Sequence, residues 1–177
     1  MINVAILYGG PSGEHEVSVL SAKNILEHID RSLFNVTEVC IAKDLTYQID
    51  WTQYSEDGGI MEILKRNIEV VFPLLHGSYG EDGVLQKKLE ERKIAFVGSS
   101  SRVSSVTINK KKTNEILYDE GLLIPKSSIV TRERYWHECS YPLIVKPVDQ
   151  GSSLGLFKFM SEKEYQGSLE KIFNNRE

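Results

Sequence analysis

The sequence predicts an α/β protein: an N-terminal parallel sheet flanked by helices, followed by a small α+β unit. Three observations carry this reading. Short, continuous apolar runs alternate with helical patterns through the first part of the chain. Glycine-bearing loops follow the first and third of those runs. A serine-rich connection then leads into a region of short, hairpin-linked strands.

Asn3 to Tyr8 is a continuous apolar run, which suits a buried parallel strand. Gly9-Gly10-Pro11-Ser12-Gly13 breaks it. Glu16 to Ile29 predicts a helix, with Val17, Leu20, Ile25 and Ile29 near one face. Phe34 to Ala42 is the second strand. Lys43 to Gly59 reads as irregular, with a short strand around Tyr47 to Ile49, and Glu62 to Lys65 is too brief to define an element. Ile68 to Leu75 is the third buried strand, His76 to Gly80 a loop, and Glu81 to Arg92 a helix opened by two acids that favour its dipole. Ile94 to Val97 is the fourth strand. This β-α-β order predicts a parallel sheet, with the loops after the first and third strands at one edge.

Ser99 to Ser105 marks the boundary, giving domains 1–98 and 99–177. Asn109 to Glu120 predicts a helix stopped by Gly121. The remainder reads as strand, short helix, strand (Pro142 to Val145), Gly-rich loop, strand (Leu156 to Met160) and helix.

The 177 residues carry a net charge of −4, with 41% hydrophobic and 26% charged side chains. That is ordinary globular composition, enough for one sizeable core or two small ones. No basic arm or Arg-rich tract marks a nucleic-acid partner. No apolar run is long enough for a bilayer, and no signal-peptide core precedes the first strand. Cys40 and Cys139 lie in separate segments without metal-ligand spacing, and read as free thiols of a reducing cytoplasm.

Three loops carry candidate chemistry. In Lys146-Pro147-Val148-Asp149-Gln150-Gly151-Ser152-Ser153-Leu154-Gly155 a strand runs into a lysine and then a flexible loop. Such a loop can wrap backbone N–H groups around phosphate oxygens beside the lysine charge. Taken alone it is equally a hairpin whose turn carries a lysine. Its spacing is neither that of a P-loop nor that of a dinucleotide fingerprint. Gly9-Gly10-Pro11-Ser12-Gly13-Glu14-His15-Glu16-Val17-Ser18 follows the first strand. A carboxylate there can hold a substrate ammonium, although Glu14 and Glu16 also suit a plain helix start. His76-Gly77-Ser78-Tyr79-Gly80-Glu81-Asp82-Gly83 follows the third strand. A histidine at a strand end is often structural, but two of the four histidines, His15 and His76, fall in these two loops. Neither zinc-ligand spacing nor a nucleophile elbow is present.

In this order, the three motifs resemble the D-alanine–D-alanine ligases of the ATP-grasp superfamily, and the resemblance covers the whole chain. It implies a pre-ATP-grasp domain followed by part of an ATP-grasp fold. It implies that ATP phosphorylates the carboxylate of one D-alanine and that the amine of a second displaces phosphate, giving the dipeptide for peptidoglycan. By the same resemblance Glu14 binds the ammonium of the first D-alanine and His76 lies near that substrate. Ser152 is linked to the substrate pocket, and Glu14 and Ser152 are the catalytic candidates. Lys110 and Lys146 contact ATP phosphates, with Gly151, Ser152 and Ser153 as the loop over them. Lys110 is preferred to Lys111 and Lys112 from its distance to Gly121 and Pro125. The implied cofactors are ATP and Mg2+, with Mn2+ as a substitute, and the implied assembly is a cytoplasmic homodimer. The resemblance also implies an N-terminal domain with most of a central domain, inactive alone, whose magnesium ligands lie elsewhere. Two other readings stand beside it: an ATP-grasp ligase for another small carboxylate, and a non-catalytic remnant that binds substrate or a partner chain.

Overall fold

The computed structural model describes residues 1–174. The chain divides into two compact units, the first Met1–Val106 and the second from Thr107 onward. The expected boundary at 98/99 lies earlier, because the serine run is not a linker but a helix packed into the first unit.

In the first unit, β1 (Ile2–Gly9), β2 (Phe34–Ile41) and β5 (Val70–Pro73) are parallel, with β1 in the middle. β3 (Tyr47–Ile49) and β4 (Thr52–Tyr54) form an antiparallel hairpin that extends the sheet beyond β2, in the order β4-β3-β2-β1-β5. The sheet is therefore mixed. The expected strand Ile94–Val97 is a single parallel bridge between Val71 and Phe96. Left-handed Lys93 before it and Gly98 after it leave room for no more.

Side chains alternate across the sheet. On one face Ala5, Leu7, Val39, Ile41, Ile49 and Val71 join a buried core with two helices, α2 (Glu56–Lys65) and α3 (Val84–Glu91). α2 falls across two readings, Glu56–Gly59 in the stretch read as irregular and Glu62–Lys65 in one too brief to define an element, because Gly58 and Gly59 weaken its helical signal. Gly59 is required there: a Cβ would stand 2.4 Å from the ring of Tyr47. Ser55 starts the helix by accepting from the Gly58 N–H.

The other face lies beneath α1 (His15–His28). Its buried side is not the one expected. Val17 and Leu20 are exposed, and Ser18 and Ala22 are buried in their place, with Ile25 and Ile29 continuing the stripe. Small side chains let the helix sit close to the strand ends.

α3 begins later than expected, because Glu81 and Asp82 spend their carboxylates on the preceding loop. α4 (Ser101–Thr107) occupies the serine run. Ser100 Oγ accepts from the Val103 N–H at 3.3 Å, and Glu90 receives Ser101 N–H at 2.8 Å and Ser101 Oγ–H at 2.5 Å.

In the second unit, α5 (Lys110–Asp119) is capped by Asn109 and followed by left-handed Gly121. Leu122 to Ser140 forms neither the strand nor the short helix expected, and with most side chains exposed it has no face to bury. β6 (Leu143–Val145) and β7 (Phe157–Phe159) pair antiparallel around the Gly-rich loop. α6 (Glu162–Gln166) and α7 (Leu169–Asn174) replace the single expected helix, interrupted at Gly167. Residues 175–177 of the expected second domain lie outside the described residues.

Candidate functional site

Parallel pairing brings the ends of β1 and β5 side by side, since Leu7 pairs with Pro73 and the Leu74 N–H donates to Leu7 O at 2.7 Å. The loops carrying Glu14 and His76 therefore leave the same edge of the sheet. At such an edge α/β proteins place ligands.

Serines clasp these loops together. Ser18, fully buried on α1, accepts from the Gly9 N–H at 2.8 Å and donates to the Leu74 carbonyl at 2.7 Å. Ser12 Oγ donates to the His76 carbonyl at 2.7 Å and receives the Glu14 N–H at 3.2 Å. Ser21 Oγ lies 3.4 Å from His76 Nε2. His15 braces the first loop through Nδ1, 2.7 Å from the Gly10 carbonyl. Gly9 turns at φ +91°, where a Cβ would come within 2.4 Å of Ile41 O. A Cβ on Gly77 would lie 3.4 Å from Glu14 Oε2, so the two loops face one another.

The second loop is tied by its own acids. Glu81 receives the Gly77 N–H at 2.7 Å; Asp82 receives the Tyr79 N–H at 2.8 Å and the Val84 N–H at 3.0 Å. Gln86 donates to Gly80 O at 2.6 Å. These acids hold the backbone of their own loop, and Glu14 Oε2 reaches toward Gly77 from the first loop.

In the second unit, Lys146 directly follows β6 and is exposed. Gly151 begins a turn in which Ser152, Ser153 and Gly155 all have positive φ, at 47°, 61° and 64°. Two non-glycine residues in that region mark a loop whose shape is imposed by its surroundings. Leu154 N–H donates back to Gly151 O at 3.0 Å. Lys110 reaches this loop. Its backbone N–H donates to Val148 O at 2.9 Å and its ammonium to the Gln150 and Val148 carbonyls. Burial, then the Lys146 charge, holds the Lys110 ammonium below the usual lysine range, with Asp149 opposing. Lys111 instead pairs with Glu115 on its own helix. The structure thus brings Lys110, Lys146 and the Gly151–Ser153 turn together, and separately brings Glu14 and His76 together.

Ser12, Ser18 and Ser21 do not stand out in the sequence, where helix serines look like polar surface. Their signal is spacing: Ser18, Ala22, Ile25 and Ile29 trace one helical stripe, with the small residues nearest the loops.

Among the described residues no three His, Cys, Asp or Glu side chains gather as metal ligands. No helix among them is long and apolar enough to cross a membrane. Both cysteines are free.

Residues 3–66 and 51–99 match the family model described as D-ala D-ala ligase N-terminus, and residues 125–177 that described as D-ala D-ala ligase C-terminus. A D-alanine–D-alanine ligase from Shouchella clausii is 32% identical, covering 97% of this chain and 56% of the relative. One from Deinococcus radiodurans is 35% identical, covering 96% and 56%. The solved D-Ala:D-Ser ligase from Enterococcus faecalis shares the fold with a TM-score of 0.76 at 25% identity, over 98% of this chain and 60% of that one. The chain spans about half the length of the curated relatives it matches.

Proposed function

Because the chain belongs to the D-alanine–D-alanine ligase family, we propose that it binds the first amino acid and the nucleotide phosphates in an ATP-dependent ligase that joins two D-alanines. The observation that carries this reading is the clasped pair of loops at one sheet edge, with Glu14 facing Gly77 beside His76. A carboxylate placed at such an edge suits an amino-acid ammonium. His76, braced through its carbonyl and near Ser21, lies beside that site. When bound, ATP supplies the phosphoryl group that activates the substrate carboxylate. Phosphoryl transfer depends on positioning and on neutralising charge as it builds. Lys110 and Lys146 supply the charge, and Gly151, Ser152 and Ser153 supply backbone N–H groups and hydroxyls. The described residues offer no ligand set that fits magnesium, so no step is assigned to that ion here. A cytoplasmic setting agrees with the two free thiols.

The test is D-alanine-dependent ADP formation by the polypeptide its gene encodes. Glu14→Gln keeps the shape and loses the charge. It should raise KM for the first D-alanine about ten-fold or more, the worth of a charge-assisted hydrogen bond, and leave KM for ATP alone. Lys146→Ala should do the reverse and weaken ATP more than D-alanine. Equal losses for both ligands in either variant would point to misfolding. ATP binding without D-alanine-dependent turnover would favour the binding-only reading.

A further inference from the structure

Tyr79 is the residue of the His76–Gly83 loop that the proposed reaction leaves unused, and it is the most constrained. Its backbone is left-handed at φ +71°, a costly conformation for a bulky aromatic residue. Such a conformation persists when the side chain is over-determined by its surroundings. The side chain here is buried, and its hydroxyl stands 2.6 Å from that of Tyr47, which is fully buried. Burial first, then Tyr47 and the nearby Glu56 carboxylate, push the Tyr79 phenol above its usual range. Lys88 on α3 holds Glu56 at 3.2 Å. Either hydroxyl can donate in the Tyr47–Tyr79 pair.

This pair of hydroxyls joins the β3–β4 hairpin to the underside of one loop, with the Glu56–Lys88 ion pair of α2 and α3 close by. Tyr47 cannot yield, because Gly59 presses α2 against its ring. Above the ring, the Tyr79 N–H is held by Asp82 and the Gly77 N–H by Glu81. The Tyr79 side chain thus ties the loop to the core from below, alongside the Gln86 bond to the Gly80 carbonyl.

We propose that Tyr79 is a positioning residue for the amino-acid site: its buried hydroxyl, held by Tyr47, fixes the loop so that His76 and Gly77 face Glu14. This rests on the reading of Glu14 and His76 as the site of the first substrate. Removing the hydroxyl lets the strained turn relax and moves the loop away from Glu14.

The experiment compares Tyr79→Phe, Tyr47→Phe and the double variant in the complete enzyme. It reads melting temperature, KM for the first D-alanine, KM for ATP, and hydrogen exchange of the amides from Gly77 to Asp82. Tyr79→Phe should raise KM for D-alanine about five-fold or more, the worth of one hydrogen bond, and speed exchange across the loop, with KM for ATP unchanged. It also orphans the Tyr47 hydroxyl and lowers the melting temperature. The double variant leaves no orphan, so its melting temperature should recover while the raised KM and fast exchange remain. Tyr47→Phe breaks the same bond from the other side and should raise KM for D-alanine and speed exchange as Tyr79→Phe does. KM that simply tracks melting temperature through all three variants would overturn the proposal, as would unchanged KM and exchange in Tyr79→Phe. His76→Ala is measured alongside. If it leaves KM for D-alanine unchanged, the site reading falls and this inference with it. If it raises KM while Tyr79→Phe does not, only the inference falls.

Discussion

The first unit buries an aliphatic core running from Val4 to Ile94, whereas among the described residues of the second unit the buried apolar side chains are Phe159 and Tyr165. The difference extends to the loops each carries. Glu14 and His76 sit on loops clasped by Ser12 and Ser18 to strand ends and to each other. The Gly151–Ser153 turn hangs from a two-stranded hairpin, and Lys110 holds the Val148 and Gln150 carbonyls just before it. A two-stranded hairpin is marginal by itself. Recognition of a small amino acid demands fixed geometry. A loop that closes over phosphates gains from local freedom, and such elements come from the least stable part of a fold. Under the proposed roles, amino-acid binding at the clasped loops and phosphate binding at the hairpin turn, each unit suits its requirement.

The largest effect should come from the smaller core. Phe159 meets Tyr165 edge-on at 5.5 Å and lies beside Phe157 at 6.2 Å. Truncating a buried phenylalanine costs about 3–5 kcal/mol, and few other buried contacts hold β6 and β7. Phe159→Ala should therefore abolish amide protection in the hairpin and its loop, with the protection of β1, β2 and β5 retained. Hydrogen exchange read by mass spectrometry separates the two regions. Loss of protection in both at once would mean that the units do not differ in the way argued above.

A smaller effect is expected where the first unit is clasped. Ser18→Ala removes one hydroxyl and leaves two buried backbone groups, the Gly9 N–H and the Leu74 carbonyl, without it. Orphaning a buried polar group costs about 1–3 kcal/mol. The melting temperature of the first unit should fall, and exchange at Gly9 and Gly10 should quicken, while the second unit is unaffected. A neutral Ser18→Ala would show that water replaces the hydroxyl and that the clasp is not needed for order.

The same contrast sets what was legible in the sequence. The three parallel strands were, β1 and β5 within continuous apolar runs and β2 through Val36, Val39 and Ile41, and so was α5, with Asn109 at its start and Gly121 at its end. The loops bearing Glu14, His76 and Lys146 could be found because their residue types are unusual for plain turns. α2 was hidden by Gly58 and Gly59, whose helical cost is offset by packing against Tyr47, a contact between distant segments. The buried face of α1 was misread for a related reason. Periodicity favours Val17 and Leu20, but close approach to the strand ends favours Ser18 and Ala22. The serine clasps depend on which strands become neighbours, and local pattern does not carry that. β3 was read at Tyr47 to Ile49, while β4 was obscure because a three-residue strand is too short for alternation to register.

The smallest effect concerns where the first unit ends. Composition alone put the boundary at Gly98 and Ser99, yet α4 stays with the first unit through Glu90, whose carboxylate receives both Ser101 N–H and Ser101 Oγ–H. Those bonds hold the Glu90 carboxyl below the usual glutamate range. The group is exposed, so the contribution is modest and its sign is what can be tested. A depressed folded-state pKa means that the unfolded chain binds the proton more readily. The stabilisation is then complete above the ordinary value of about 4.3 and is lost as pH falls through the lower, folded value. Acidification through that window should release Ser101–Thr107 while the sheet persists, moving the edge of the protected region back toward Gly98. Glu90→Gln should show faster exchange in α4 already at neutral pH and no further change through the acid window. Protection of α4 that survives acid in the unmodified chain would mean that the Gly83 approach to Ser101, not the carboxylate, sets the boundary.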